Sequence, residues 1–168
     1  QTEVIHTGGA YADTSINVTF AATRTASGPY DIPNCDFTGH DVYTNTPPVG
    51  AYRGYGHQEG QLATERMMEI LAHKLGMDPI ELREKNYLSE GKTNAIGEMM
   101  WDSHGNVKKC SDIVKKKVFS KKLDLREDEN YYYGRGFAAI TKAPTGASFS
   151  TKGCYMKMNI DGSVNVNM

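Results

Sequence analysis

The chain has 168 residues, with 19 Lys+Arg against 20 Asp+Glu and a formal net charge of -1. A nearly neutral chain has no bulk charge with which to attract nucleic acid or anionic membranes. No run approaches the roughly 18 to 20 consecutive apolar residues that span a bilayer, and Gln1-Thr2-Glu3 has neither a basic nor an apolar leader region. We therefore expect no nucleic-acid partner and no membrane partner.

The cysteines are sparse and odd in number. Cys35, Cys110 and Cys154 lie far apart and form neither a Cys-x-x-Cys pair nor a zinc-type Cys/His spacing. This argues against structural zinc or a cysteine-ligated iron-sulfur cluster within the chain, and no residue is assigned as a metal ligand. Unpaired thiols are typical of a reducing compartment, which predicts a cytoplasmic protein.

The sequence of the first half of the chain predicts strands followed by helices. Glu3-Val4-Ile5 opens as a strand, and a second strand from Cys35 to Asn45 enters a turn whose prolines, Pro47 and Pro48, lack backbone donors. A helix follows from about Gln58 to the stop at Gly76. Its apolar positions recur at helical spacing and predict the buried face: Ala63, Met67, Ile70 and Leu71.

A second helix is predicted almost at once. In Asp78-Pro79-Ile80-Glu81, an N-cap is followed by proline at the first helical position, which predicts a helix from Pro79 to Asn86. The polar stretch from Ser89 to Gly105, rich in Gly and Asn, is the predicted boundary. We therefore divide the chain into two domains, 1–90 and 91–168, of α+β class.

The second half predicts a lysine-rich helix, about Ser111 to Leu123, and a strand, Phe137 to Thr141. The lysines suit either a phosphate-binding face or a solvated surface, and the apolar residues between them with the acidic stretch that follows favour the solvated surface. A non-catalytic binding module remains the alternative. The last strands form a hairpin, in which a three-residue loop ending at Gly162 pairs Met158 with Val164.

Two segments suit a ligand. In Gly50-Ala51-Tyr52-Arg53-Gly54-Tyr55-Gly56, glycines bracket an aromatic ring ahead of a helix, so main-chain N–H groups are able to approach an anionic group closely. Spacing alone favours a tight structural turn over a ligand site. In the loop from Lys142 to Ser150, small residues surround Phe149, which suits a planar ligand or a hairpin connection.

Several ordered motifs resemble one family. The Gly-Ala-Tyr-Arg-Gly-Tyr-Gly segment, the helix containing Glu65, and Leu75-Gly76-Met77-Asp78-Pro79 through Asn86 resemble the large subunit of molybdenum hydroxylases, the xanthine dehydrogenase and aldehyde oxidoreductase family. The likeness extends from Gly9-Ala10-Tyr11 to Asp161-Gly162-Ser163-Val164, nearly the whole chain. It implies an internal fragment, inactive alone, of the molybdopterin-binding subunit, which hydroxylates a heterocycle or aldehyde with water-derived oxygen.

The resemblance also implies site roles. Tyr52, Arg53 and Gly54 would contact the molybdopterin cofactor through the main chain, Tyr55 and Phe149 would form opposite walls of the substrate slot, and Ser150 would be the adjacent polar position. It implies partners as well: the remainder of the molybdopterin subunit, iron-sulfur clusters and FAD on other domains or subunits, and a small-molecule substrate. No general base is assigned within this chain.

The chain departs from the family pattern in two places. Gln58-Glu59 stands where the family commonly has Pro-Gln, which affects the helix entry or the pterin contacts. Ala21 stands near the substrate-orienting arginine of xanthine-oxidising members, which argues against purine specificity. The alternative enzyme class is a reductive relative that removes a ring hydroxyl from an aromatic acyl-CoA.

Overall fold

The structure is a computed structural model that describes residues 1–11, 13–101, 105–122, 130–142 and 153–167. Helices and strands are mixed within these ranges, which confirms the predicted α+β class. No helix in them is long and apolar enough to cross a membrane. The elements are, in chain order, β1 (Thr2–Gly9), α1 (Ser15–Arg24), β2 (Phe37–Tyr43), α2 (His57–Leu75), α3 (Pro79–Asn86), α4 (Val107–Val114), a π-helical turn (Lys115–Phe119), β3 (Tyr155–Met158) and β4 (Val164–Asn167).

The first half begins with a β1-α1-β2 unit. Strands β1 and β2 pair in parallel, with Thr2 opposite Phe37 and Thr7 opposite Val42. Parallel neighbours need a crossover connection, which α1 supplies. The sequence predicted both strands but not α1, because its first residues, such as Asn17 and Thr19, have only modest helix propensity.

Helix α2 has the predicted extent but not the predicted buried face. It begins at His57 and ends at Leu75, just before Gly76, whose φ of 64° is left-handed. Met67 and Leu71 are exposed, as is Ala63, and Ile70 is half-buried. The prediction of the face was wrong because polar side chains on another face are bonded to other segments and are therefore buried. The buried positions are His57, Gly60, Gln61, Glu65, Met68 and Ala72.

Two glycines let α2 lie directly against α1. A Cβ at Gly56 would meet the Val18 carbonyl oxygen at 2.2 Å, and a Cβ at Gly60 would meet the Ala22 carbonyl oxygen at 2.1 Å. Real side chains do not tolerate such contacts with backbone atoms. The start of α2 is therefore fixed against α1 by backbone-to-backbone packing.

Helix α3 completes the first half as predicted. The Asp78 side chain accepts hydrogen bonds from the amides of Ile80 and Glu81, which satisfies otherwise unpaired donors at the helix start. The core between α2 and α3 is small. It consists of Tyr30, Met68, Ala72 and Leu82, with Met77 and Tyr87 packed against it.

The second half differs from its prediction at two elements. Helix α4 starts at Val107, earlier than predicted, because the Asn106 side chain caps it by accepting from the Lys109 amide. Residues 137–142 form no strand, although burial alternates along them as in a strand. The hairpin register is confirmed: Met158 lies opposite Val164, and Gly162 has a φ of 81°.

Two lysines of the lysine-rich region form ion pairs with carboxylates. Lys115 Nζ lies 2.8 Å from a carboxylate oxygen of Glu84, and Lys108 Nζ lies 3.4 Å from Asp112. The hydrogen bond to Glu84 raises the pKa of Lys115. These pairs favour the solvated-surface interpretation of the lysines over a phosphate-binding face.

Candidate functional site

The loop of residues 52–55 lies immediately before α2 and has an unusual backbone. Arg53 has a φ of 38° and Tyr55 a φ of 58°, both in the left-handed region. A residue other than glycine costs about 1–2 kcal/mol in that region. Such conformations persist where the surrounding structure fixes them, and they are enriched at ligand sites.

The loop is fixed through two of its carbonyl groups. Gln58 Nε2 donates a hydrogen bond of 2.6 Å to the Arg53 carbonyl oxygen. The main-chain nitrogen of His57 lies 3.2 Å from the Gly54 carbonyl oxygen, and its ring Nδ1 lies 2.9 Å from the same atom. Both carbonyl groups therefore face α2.

This arrangement turns the amides of the loop the other way. In a trans peptide the N–H points opposite to the carbonyl, so the N–H groups of Gly54 and Tyr55 point away from α2. Among the described residues, no acceptor bonds to either group. The result is a pair of outward main-chain donors beside a helix N-terminus, which suits an anionic ligand.

Aromatic side chains flank these donors. Tyr52 is 76% exposed, and the Arg53 guanidinium carbon lies 5.5 Å from the centre of its ring. Tyr55 is half-buried. The loop thus combines polar main-chain donors with flat side chains, and the structure brings Tyr52, Arg53, Gly54 and Tyr55 together at one surface.

The second half of the chain reaches the same loop. Lys142 Nζ lies 3.4 Å from the Gly54 carbonyl oxygen, although 88 positions separate the two residues. Phe149 and Ser150, which the sequence analysis assigned as the opposite wall and the adjacent polar position, lie outside the described residues.

A buried polar cluster is centred on Glu65 of α2. Arg83 Nε donates to Glu65 Oε2 at 2.9 Å, and the Tyr30 hydroxyl donates to Glu65 Oε1. Burial raises the pKa of Tyr30, and the hydrogen bond to the Glu65 carboxylate acts in the same direction. Burial disfavours the charge on Arg83, but the hydrogen bond to Glu65, the charge of Glu65 and the smaller contributions of Tyr30 and Glu69 together outweigh it and raise the pKa of the guanidinium. The Glu65 carboxyl group is thus held between a hydroxyl and a guanidinium.

Sequence reasoning missed the polar residues of α2 that bond to the loop and to the second half of the chain. Gln58 was noted only as a departure from a family pattern, and Gln61 was given no role. Glu65 was quoted as a motif position without a function. The available signal was the spacing of Gln61 and Glu65, four positions apart and so on one face of the helix.

Comparison with known proteins identifies the family. A family model described as "Molybdopterin cofactor-binding domain" matches residues 1–87, just over half of the chain. The nicotinate dehydrogenase large molybdopterin subunit of Eubacterium barkeri is 36% identical over 118 residues, which cover 70% of this chain and 28% of that subunit. The aldehyde oxidoreductase of Megalodesulfovibrio gigas is 40% identical over 90 residues, which cover 54% of this chain and 10% of that protein.

Solved structures agree with these sequence matches. The quinoline 2-oxidoreductase of Pseudomonas putida 86 superposes with a TM-score of 0.62 at 28% identity, covering 70% of this chain and 16% of that one. The chain therefore spans less than a third of the length of each of these relatives. On the family match and these relatives together, the chain belongs to the molybdopterin cofactor-binding domain family of the molybdenum hydroxylases.

Proposed function

We propose that this chain is an internal part of the molybdopterin-binding subunit of an oxidoreductase that hydroxylates a heterocycle or an aldehyde with oxygen derived from water. The chain spans only a small part of each relative, which supports the view that it is inactive alone. The relatives' names refer to nicotinate, aldehyde and quinoline, all of them small molecules with an electron-poor carbon.

The observation that carries the proposal is the backbone of residues 52–55. Its two outward N–H groups, on Gly54 and Tyr55, suit the anionic oxygen and sulfur groups of a molybdopterin. A side chain at Gly54 would meet Gln58 at 1.5 Å, so the glycine allows the clamp that orients these donors. The residues present therefore fit the cofactor.

Each site residue has a role in this proposal. Tyr52, Arg53 and Gly54 hold the cofactor through the main chain, and Tyr55 adds its own N–H group to these contacts while its ring forms one wall of the substrate slot. Phe149 is the opposite wall and Ser150 the adjacent polar position. The bound cofactor supplies the redox chemistry, whereas these residues bind the flat substrate and orient the carbon that reacts.

The proposal also covers the division into domains, the electron-transfer groups and the cellular location. We place residues 1–90 and 91–168 in two successive molybdopterin-binding domains, and the end of the family match at residue 87 supports that boundary. Electrons would leave through iron-sulfur clusters and FAD on other domains or subunits. The cysteine thiols Cys35, Cys110 and Cys154 are free, which supports a cytoplasmic location.

The test uses the full subunit assembled with its electron-transfer partners. We expect stoichiometric molybdenum and substrate-dependent dye reduction, both retained in Arg66→Ala, a control on the exposed face of α2. Arg53→Ala and Phe149→Ala should impair turnover. A correctly folded subunit that contains no molybdenum when produced in a molybdenum-replete host would contradict the proposal. Removal of a ring hydroxyl instead of oxygen insertion would favour the reductive acyl-CoA class.

A further inference from the structure

An extended segment of the second half is bonded to α2 by side chains rather than by another strand. Gln61 Nε2 donates to the Thr141 carbonyl oxygen at 2.6 Å, and the Thr141 amide donates to Gln61 Oε1 at 2.8 Å. Gln61 is completely buried. Its amide therefore acts as a neighbouring strand does, because it offers one donor and one acceptor to the same residue.

A second bond repeats this contact one helical turn away. The Ala139 amide donates to Glu65 Oε2 at 3.1 Å. Four residues of an α-helix rise about 6 Å, and two residues of an extended chain rise about 6.6 Å. The distance between positions 61 and 65 along the helix therefore matches the distance between residues 141 and 139 along the segment.

The Glu65 carboxylate is itself fixed. Its Oε1 accepts from the Tyr30 hydroxyl, and its Oε2 accepts from Arg83 Nε as well as from Ala139. Arg83, a residue of α3, also donates to the Pro79 carbonyl oxygen of its own helix at 2.9 Å, which fixes the position of its guanidinium. The segment is thus held against a rigid group of buried atoms rather than against a mobile surface side chain.

We propose that Gln61 and Glu65 are positioning residues that fix the register of residues 137–142 on α2 and so place Lys142 beside the loop of residues 52–55. The inference rests on the proposed function, because that loop is the proposed cofactor contact. Antiparallel to α2, the segment runs from Glu65 past Gln61 toward Gly54, where the Lys142 ammonium lies 3.4 Å from the carbonyl oxygen. Lys142 thereby adds a further donor to the Gly54 carbonyl oxygen, which His57 also contacts, and so helps to hold the Tyr55 N–H group outward.

The register of residues 137–142 on α2 matters because the segment can slip only by whole residues. A slip by one residue would turn the inward positions of the segment outward. A slip by two residues would move Lys142 by about 6.6 Å, out of reach of Gly54. Methionine at position 61 offers neither bond to Thr141, and an ionised glutamate accepts but does not donate, so the two substitutions remove both bonds or one of them.

The test compares Gln61→Met, Gln61→Glu and the exposed-face control Arg66→Ala in the assembled, cofactor-loaded enzyme. Amide hydrogen exchange of the peptide 137–142 is measured beside that of α2, together with molybdenum content, kcat and KM. For Gln61→Met we expect exchange in 137–142 to accelerate roughly fivefold or more, as loss of hydrogen bonds of ordinary strength implies, while α2 and molybdenum content stay unchanged. We expect kcat to fall roughly tenfold or more, with a smaller change in KM.

Gln61→Glu keeps the side-chain volume and the bond from the Thr141 amide. Its ionised carboxylate meets the Thr141 carbonyl oxygen without a donor in a fully buried position, so exchange in 137–142 and kcat should be affected at least as much as in Gln61→Met. Because the side-chain shape is kept, this second variant keeps the test decisive if Gln61→Met folds poorly. Unchanged exchange in 137–142, or faster exchange with wild-type kcat, would overturn the inference. A wild-type enzyme that lacks molybdenum would defeat the proposed function separately, and the exchange comparison would still decide whether Gln61 holds the segment.

Discussion

Glu65 and Arg83 form a salt bridge of 2.9 Å in which the two side chains are only 7% and 2% exposed. Such a pair is not strong evidence of net stabilisation, because both charges lose their hydration when they are buried. Removal of one partner alone, by contrast, should destabilise the fold. Loss of one partner leaves the other charge buried without compensation.

We therefore expect Glu65→Ala to lower the free energy of unfolding by about 3–5 kcal/mol. Glu69→Ala is the matched control, since Glu69 also contacts Arg83, at 3.3 Å, but is 32% exposed. It should cost less than about 1 kcal/mol. Urea unfolding of the 168-residue chain, followed by fluorescence of its single tryptophan, measures both. Equal effects of the two substitutions would show that Glu65 is not the main partner of Arg83.

The contact between Gly54 and Gln58 predicts a non-additive pair. The three atoms nearest to a Cβ at Gly54 all belong to the side chain of Gln58, the first at 1.5 Å, so Gly54→Ala must displace that side chain from the Arg53 carbonyl. Gln58→Ala removes the same hydrogen bond. Each change should cost about 1 kcal/mol, and the double variant should cost no more than either alone. A double-mutant cycle on unfolding free energies measures the coupling, and strict additivity would refute the shared mechanism.

Gly60 within α2 and Gly76 at its C-terminal cap distinguish two costs of replacing glycine by alanine, a lack of space and a strained backbone. Gly60→Ala would place a Cβ 2.1 Å from the Ala22 carbonyl oxygen. Helices α1 and α2 must then separate, which should cost about 1–3 kcal/mol. Gly76→Ala has open space but a φ of 64°, so only the left-handed backbone is strained, at about 1 kcal/mol. Thermal unfolding ranks the two, and a smaller effect at Gly60 would contradict the tight helix contact.

Asp41 predicts acid sensitivity. Its carboxylate accepts from Ser15 Oγ at 2.8 Å and Thr19 Oγ1 at 3.2 Å, and His6 Nδ1 lies 3.0 Å away. Burial alone would raise the pKa of Asp41, but these hydrogen bonds outweigh it and lower the pKa below its ordinary value. The resulting stability is fully present above the ordinary value, about 3.9, and is lost as pH falls through the lower folded-state pKa.

Asp41→Asn should therefore be less stable than wild type at neutral pH, and the difference should stay constant down to about pH 4 and shrink as the pH falls from about 4 to about 2. Ser15→Ala removes one of the three contacts and should show a weaker form of the same trend. Urea unfolding at each pH measures it. A difference that stays constant across this range would mean that Asp41 titrates alike in the folded and unfolded chain.

The sequence predicted the elements whose signals are local. Asp78 and Pro79 define the start of α3, Gly76 the end of α2, and Gly162 the hairpin register. The buried face of α2 was not predictable from hydrophobic periodicity, because Gln61 and Glu65 are buried by partners 80 and 74 positions away. Local patterns carry no information about such partners. For the same reason residues 137–142 gave a strand pattern without a strand.

The candidate site was likewise predictable only in part. The glycine-aromatic pattern of residues 52–55 marked the loop, but the direction of its amides depends on Gln58 and on two left-handed residues, Arg53 and Tyr55. Left-handed conformations at bulky residues run against local preference. They are therefore properties of the folded chain rather than of the sequence window.

The absence of side chains at Gly56 and Gly60 has a mechanical consequence. Where backbones touch, the first turns of α2 are unable to slide or tilt against α1 without a direct clash, so they move with the β1-α1-β2 unit as one body. The loop before α2 inherits that rigidity. The entropy of ordering its donors is then lost during folding and not again when a ligand arrives, which leaves more of the contact energy available as affinity.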